Sequence, residues 1–289
     1  PHPMKRLAVV ALALGAALAA CGQRGPADTG VTTLNRGNGG EPGTLDPAFA
    51  STQVETNIIQ DLLVGLTTPA ADGTTIQGAS NSWYASPEGL LWTFHLRDFS
   101  WFDGTPVTAQ DFIYAWQRVL DPDNGADYAF ILYDFKNAKA VNARALPPSA
   151  LGAHALDDKT VQITLEHPAP YLEELLTHIT ALPVPRHVIE AKGKEWTKPG
   201  NYVSNGPYTL QAWRPNDRIT LQKNPRFYDA TRVAIETVNY FPMADDAAAL
   251  KRFRAFEFDT QSPLPASQID WLRDNMPDAL KNFPDLVTY

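Results

Sequence analysis

Side chains able to carry out catalysis are present in this sequence, but without the spacing that known catalytic or metal-binding motifs require. The chain has no G-x-S-x-G turn, no H-E-x-x-H pair, no Walker loop and no paired C-x-x-C. Its histidines from His95 onward include no pair four residues apart. Adjacent acids such as Glu173 and Glu174 indicate a solvated surface. The sequence therefore predicts neither an enzyme nor a bound cofactor.

One acidic loop partly matches the spacing of a calcium site. Asp121, Asp123 and Asn124 precede Gly125, which falls one position early for an EF-hand loop. Leu132 occupies the position where such a loop needs a bidentate Glu. A helix end followed by a turn explains the segment better, so no metal site is predicted.

The single cysteine, Cys21, lies where covalent modification would be expected. A basic start and an uncharged apolar stretch at 7–18 have the pattern of a signal peptide and are short for a bilayer span. Ala19-Ala20 then places small residues before the thiol, as in the bacterial lipobox. We expect residues 1–20 to be upstream residues and signal peptide, and 21–30 to be a tether. A cleaved signal with a chance cysteine is the alternative.

Composition is that of a folded, acidic protein. The chain has 289 residues, of which 44% are hydrophobic and 10% aromatic, so it can build a sizeable core. Its formal net charge of −8 argues against a nucleic-acid partner, which would need clustered Lys and Arg. One cysteine cannot form a disulfide within the chain.

Hydrophobic spacing predicts helices and strands mixed along the chain, which favours an α/β or α+β fold. The longer helices are expected at 54–66, 112–120, 171–178, 244–256 and 269–275. The strands are expected at 31–35, 90–96, 154–156, 160–165, 208–213, 218–223, 233–241 and 286–289. Thr52 and Glu55 have the spacing of a capping box for the first helix, and Thr108 and Asp111 for the second.

Several motifs in one order make the sequence recognisable. Trp92-Thr-Phe-His-Leu-Arg97 is followed by Trp101-Phe-Asp-Gly-Thr-Pro-Val-Thr-Ala-Gln-Asp-Phe112, and Leu45-Asp46-Pro47 and Ser204-Asn-Gly-Pro-Tyr208 flank them. From about residue 33 onward the chain resembles the family 5 extracellular solute-binding proteins of the periplasmic oligopeptide-binding type. Most of these residues are expected to be structural, with Trp92 and its aromatic neighbours in one core cluster.

The resemblance implies a two-lobe fold of the type II periplasmic binding proteins. The first lobe would comprise residues 31–63 and 187–289, and residues 64–186 would form a domain inserted into it. We expect the chain to stop near the hinge, before the second lobe. Alone it would then bind ligand weakly or not at all, and micromolar peptide binding would contradict this expectation.

The resemblance also implies two peptide contacts. The backbone of Ser51, Thr52 and Gln53 matches the stretch that pairs with an extended peptide, and Tyr128 matches a tyrosine near the peptide's amino terminus. An ordinary helix cap and an ordinary core or surface aromatic are the structural alternatives.

The expected partners follow from the same resemblance. They are a peptide ligand, an ABC permease with its ATPases, and a bacterial membrane reached through the lipid on Cys21, with the protein exported to the periplasm or cell surface as a monomer. Alternatives are another solute (a dipeptide, sugar, opine or metal chelate), a truncated fragment without function, and an exported hydrolase.

Overall fold

The computed structural model describes residues 32–281. The strands in this range are β1 (Thr33–Gly37), β2 (Thr67–Pro69), β3 (Thr75–Gln77), β4 (Ser80–Ala85), β5 (Leu91–Leu96), β6 (Ala153–Asp157), β7 (Thr160–Thr164), β8 (Tyr208–Arg214), β9 (Arg218–Lys223), β10 (Thr237–Phe241) and β11 (Thr260–Gln261). The α-helices are α1 (Gln53–Leu62), α2 (Ala109–Leu120), α3 (Ala138–Asn142), α4 (Leu172–Leu175), α5 (Arg186–Lys192), α6 (Asp246–Arg254) and α7 (Ile269–Asn275). The predicted mixture of helices and strands is confirmed.

Several predictions lie outside the described residues. These are the signal peptide, Cys21 and its tether, and the strand at 286–289. Among residues 32–281, none of the helices combines the length and the apolar character that crossing a bilayer requires.

The first sheet has the strand order β11-β1-β10-β9-β8. Strand β1 runs parallel to both β10 and β11, whereas β10, β9 and β8 are antiparallel. The three parallel strands therefore end together, at Gly37, Phe241 and Gln261. We call these residues and those that follow them the carboxyl edge. Here Asn38 N donates to Phe241 O at 3.1 Å, and Ser262 N donates to Gly37 O at 3.2 Å.

The second main sheet is antiparallel, with the order β4-β5-β7-β6. Helix α2 packs against β6 and β7. The predicted aromatic cluster is buried in the core, with Trp92 7% exposed and Phe94, Trp101, Phe112 and Trp116 fully buried. The rings of Phe112 and Trp116 meet edge to face at 6.0 Å, a favourable geometry for aromatic pairs.

Strands of the two main sheets come from different parts of the chain. Strands β2 to β7 all lie within residues 64–186, whereas β1 and β8 to β11 lie outside that range. This segregation is what an insertion into the first sheet would produce. The division at 31–63, 64–186 and 187–289 stays a prediction.

The first helix ends earlier than its apolar pattern predicts, at Leu62 instead of residue 66. The side-chain amide of Asn205 binds Val64 on both sides, accepting from its N at 2.9 Å and donating to its O at 3.0 Å. Gly206 N donates to Leu62 O at 3.0 Å. These long-range bonds hold residues after Leu62 in an extended conformation, and burial there explains the apolar run.

Two other elements are shorter than predicted. Helix α4 ends at Leu175, because His178 takes an extended conformation and caps the next turn. Strand β10 begins at Thr237 instead of residue 233, because Val233 N closes a preceding turn by donating to Ala230 O at 3.2 Å.

Helix α6 ends in a Schellman motif with an unusual residue in the left-handed position. Phe256 has φ +60°, a region that normally takes glycine because a Cβ is strained there. Its N donates to Phe253 O at 2.9 Å, and Glu257 N donates to Arg252 O at 3.0 Å. The Phe256 side chain is 95% exposed, so packing does not offset the strain.

We expect Phe256→Gly to raise the free energy of unfolding by about 1 kcal/mol. Removing the Cβ relieves about 1–2 kcal/mol of left-handed strain, and the greater freedom of glycine in the unfolded chain offsets part of it. Urea unfolding measures the change. Phe256→Ala is the matched control, since it removes the exposed ring but keeps the strained Cβ. Equal stability of the two variants would show that strain is not the cause.

Candidate functional site

A buried carboxylate fixes the segment that leads into α1. Glu55 is 4% exposed, and the predicted capping box is present. Its Oε1 accepts from Gly43 N at 2.9 Å and from Thr44 N at 3.1 Å. Its Oε2 accepts from Ser51 N at 2.8 Å and from Thr52 at N (3.0 Å) and Oγ1 (2.9 Å). One side chain thereby joins the 43–44 loop to the start of the helix.

Ser51, Thr52 and Gln53 are all exposed, so a ligand can reach them. Glu55 takes the amides of Ser51 and Thr52, so these two residues have only their carbonyl groups left to pair with a ligand's main chain. The Thr52 carbonyl accepts from Thr56 N at 3.1 Å. Within residues 32–281, no donor reaches the Ser51 carbonyl oxygen, which leaves an acceptor without a partner on an exposed residue.

This segment borders the carboxyl edge of the first sheet. Asn38 Nδ2 donates to Val54 O at 2.8 Å. A Cβ on Gly39, which has φ +72°, would lie 3.1 Å from Val54 Cγ1 and 3.2 Å from Pro263 Cδ. The start of α1 therefore contacts the residues that follow β1 and lies beside those that follow β11. In open α/β sheets, ligands bind beyond the carboxyl ends of parallel strands.

Tyr128 lies in a small aromatic group on the other side of the predicted 64–186 boundary. Its half-buried ring stacks on His178 at 5.6 Å and lies 5.4 Å from the ring of Phe130. Phe130 is 54% exposed, so the group reaches the surface. No sequence motif singles out His178, and no local pattern connects it with Tyr128.

The two predicted peptide contacts, Ser51–Gln53 and Tyr128, are not joined directly, but the elements they begin pack against the same turn. The 3₁₀ turn Ile179–Ala181 contacts both α1 and the turn Ala129–Leu132, which Tyr128 begins. A cavity of about 610 Å³ borders the segments that precede each contact. Its lining includes Thr44, Phe49, Arg118, Asn124, Lys194 and Thr197.

A buried ion pair forms one wall of this cavity. Arg118 donates to both oxygens of Asp46, at 2.8 and 2.5 Å. Asp46 also accepts from Trp196 Nε1 at 3.0 Å and from Ala48 N at 3.1 Å. The pair fixes helix α2 against the loop that leads to Ser51, so it shapes the site without being free to bind ligand.

Comparison with known proteins identifies the family. Residues 76–289 match the bacterial extracellular solute-binding proteins, family 5, over their middle region, which is more than half of the chain. The chain belongs to this family of solute-binding proteins. Among residues 32–281, no three His, Cys, Asp or Glu side chains are grouped to hold a metal ion.

Peptide-binding members are among the family 5 relatives. The chain is 40% identical to the periplasmic oligopeptide-binding protein OppA of Escherichia coli K12, over 89% of this chain and 48% of OppA. It is 36% identical to the probable deoxycholate-binding periplasmic protein YgiS of the same organism, over 86% of this chain and 47% of YgiS. The chain thus spans about half the length of the curated relatives it matches.

Solved structures confirm the predicted fold class. Haemophilus influenzae OppA in complex with RPPGFSPFR is 34% identical, with a TM-score of 0.83 over 86% of this chain and 49% of that chain. Burkholderia pseudomallei OppA is 36% identical with a TM-score of 0.82. The family 5 chain described here therefore has the fold of the corresponding half of these periplasmic binding proteins.

The environment of His178 predicts a pH-dependent stability. Burial lowers the pKa of its imidazole below 6.5, and its Nδ1 accepts from Thr180 N at 3.2 Å, which requires an unprotonated Nδ1. The unfolded chain therefore binds the proton more readily than the folded one. The stability contributed by this group is complete above pH 6.5 and is lost as pH falls from 6.5 through the folded pKa.

We expect the free energy of unfolding to fall more steeply in the wild type than in His178→Phe as pH drops from 7 to 5. The difference in slope should reach at most about 1.4 kcal/mol per pH unit. Phenylalanine keeps a ring on Tyr128 but cannot take up a proton, and the other titrating groups are common to both proteins. Urea unfolding at several pH values gives the slopes, and parallel slopes would refute the assignment.

Proposed function

We propose that this chain contributes one half of a peptide-binding site in the solute-binding component of an ABC importer. The observation that carries the proposal is the segment Ser51–Gln53, held rigid by Glu55 at the carboxyl edge with the Ser51 carbonyl open. An extended peptide would donate a main-chain N–H to this carbonyl, as in strand addition. Main-chain pairing accepts many side chains, which suits a general peptide receptor.

Tyr128 is proposed to lie near the amino terminus of the bound peptide. Its ring is buttressed by His178, and the cavity of about 610 Å³ borders the segment just before it. The proposal predicts that ligand-dependent changes reach Tyr128 and His178 as well as Ser51. It assigns the chain no catalytic role.

Delivery and location form a second part of the proposal. We infer export through the signal peptide, a lipid on Cys21, and transfer of peptide to a membrane permease with its ATPases, the binding protein acting as a monomer. The support is the sequence around Cys21 and membership of family 5. Mass spectrometry of the protein from its native membrane would show a diacylglycerol on Cys21, and an unmodified Cys21 would refute the anchor.

A different solute is the second candidate. YgiS is described as a probable deoxycholate-binding protein and is nearly as similar to this chain as OppA. A steroid acid has no main-chain N–H to pair with the Ser51 carbonyl, so the two candidates predict different contacts.

Nuclear magnetic resonance of the ¹⁵N-labelled chain tests the proposal at millimolar ligand, where weak binding is visible. We expect trialanine to shift the resonances of Ser51, Thr52, Gln53 and Tyr128. Trialanine methylated on its amide nitrogens is the matched control, because it keeps the side chains and loses the main-chain amide N–H donors. Shifts with deoxycholate alone favour the second candidate, and no shift with trialanine refutes the proposed function.

A further inference from the structure

Three side-chain amides form a chain of hydrogen bonds beneath the exposed segment. Gln53 Nε2 donates to Asn57 Oδ1 at 2.9 Å. Asn57 Nδ2 donates to Asn38 Oδ1 at 2.8 Å, and Asn38 Nδ2 donates to the Val54 carbonyl at 2.8 Å. We call these three residues, Gln53, Asn57 and Asn38, the amide relay. It runs from the surface of α1 to the buried carboxyl edge.

The Val54 carbonyl fixes the direction of the whole relay. A carbonyl oxygen can only accept, so Asn38 must turn its NH₂ towards it and its oxygen towards Asn57. Asn57 must then present its own NH₂ to Asn38 and its oxygen to Gln53. Gln53 is left with one arrangement, in which its NH₂ faces Asn57. The hydrogen bonds therefore decide which end of each amide is the nitrogen and which is the oxygen.

The base of the relay is rigid. Asn38 is 3% exposed, and the backbone carbonyl of Asn57 accepts from Tyr240 Oη at 2.8 Å. Tyr240 in turn accepts from Arg36 Nη1 at 2.9 Å and lies 2.6 Å from Asp61 Oδ2. If the relay were reversed, the buried Asn38 amide would turn its oxygen towards the Val54 carbonyl, and a hydrogen bond would be lost.

We infer that Gln53 is a specificity-determining residue that presents its Oε1 to the ligand as a hydrogen-bond acceptor. Within the described range no protein donor reaches this oxygen, and Gln53 is exposed two residues after Ser51. The inference rests on the proposed peptide site and adds a side-chain preference to it. Peptides with a donor group next to the strand-paired position bind better than those with only an acceptor. Asn57 acts as a positioning residue.

Peptide pairs that differ in one donor test this preference without changing charge. Homoserine carries a hydroxyl that can donate, whereas its O-methyl ether can only accept. Each is placed in turn at the three positions of trialanine, and affinities are measured by nuclear magnetic resonance titration of the full chain. For each protein we take the ratio of the affinity for the homoserine peptide to the affinity for its ether. At the position where this ratio is highest, we expect it to be about five-fold larger in the wild type than in Gln53→Met, which is the effect of one neutral hydrogen bond.

Two variants of Asn57 separate positioning from a general structural role. Asn57→Ala removes the partner of Gln53 Nε2 and should bring the preference down to that of Gln53→Met. Asn57→Asp loses the bond to Asn38 Oδ1 and should lower stability, but it can still accept from Gln53 Nε2 and should retain the preference. A merely structural role would change the affinity of both peptides together and leave their ratio alone.

The outcomes also separate this inference from the proposed function. If the wild type binds the peptides and Gln53→Met leaves the preference unchanged, the inference is overturned and the peptide site stands. If the wild type shifts with none of the peptides, both are overturned. Because Gln53 is exposed, Gln53→Met should fold normally, and its amide spectrum checks this directly.

Discussion

Replacing Asp46 by alanine should lower the free energy of unfolding by about 3–5 kcal/mol, a large part of the stability of an ordinary domain. The Asp46 side chain is 5% exposed and that of Arg118 14%, so Arg118 would keep its charge with little access to water. Trp196 and the Ala48 amide would lose their acceptor as well. Replacing both partners of a buried ion pair by apolar residues changes stability little, whereas removing one partner leaves an unpaired buried charge and lowers stability strongly.

Urea unfolding of two further variants tests this explanation. Arg144→Ala breaks an ion pair with Asp123, whose side chains are 62% and 73% exposed, and should cost no more than about 1 kcal/mol. The double replacement Asp46→Leu with Arg118→Met leaves no buried charge and should be more stable than Asp46→Ala. If Asp46→Ala and Arg144→Ala lose similar stability, burial of the charge is not the dominant cost.

Elements whose signals are local could be predicted closely from the sequence. Helix α2 begins after Thr108, with Asp111 completing the capping box, and ends at Leu120 just before Asp121-Pro122. Strands β8 (Tyr208–Arg214) and β9 (Arg218–Lys223) match the strands predicted at 208–213 and 218–223, and they pair across Pro215-Asn-Asp217. In both cases the residues that start and stop the element are within a few positions of it, so tertiary contacts need not be known.

Elements that depend on distant residues could not be predicted. Nothing within the run 54–66 shows that Asn205, 141 residues after Val64, binds the Val64 backbone and so ends α1 at Leu62. An apolar run is equally compatible with a buried helix or a buried extended segment. The strands β2 to β4 were missed for a related reason, because β2 and β3 have only three residues each and the six-residue β4 has no regular alternation of buried and exposed positions.

The candidate site shows the same division. The sequence predicted the capping bond between Thr52 and Glu55, because the two are three residues apart. It could not show that Glu55 also holds the amides of Gly43 and Thr44, which makes a helix cap into the support of an exposed binding segment. The stack of Tyr128 on His178 joins residues 50 positions apart and has no local pattern.

Replacing Glu55 by glutamine should destabilise the chain by about 3 kcal/mol and release the segment Ser51–Gln53. All five groups around the carboxylate are donors. A glutamine keeps the shape but turns an NH₂ towards two or three of them, so these donors lose their acceptor. Hydrogen bonds to a charged group contribute about 1.5–3 kcal/mol each, and unsatisfied buried donors add to the loss.

Hydrogen exchange distinguishes local release from general destabilisation. The Ser51 and Thr52 amides should exchange at least ten-fold faster in Glu55→Gln, by more than amides in the core strands β5 and β7, because their acceptor is removed directly. Glu257→Gln is the matched control, since that carboxylate is 53% exposed and, among residues 32–281, is paired only with Arg252, and it should cost less than about 1 kcal/mol. If Ser51 and Thr52 stay protected in Glu55→Gln, the rigid carbonyl on which the peptide site depends has another support, and Glu55 is only a helix cap.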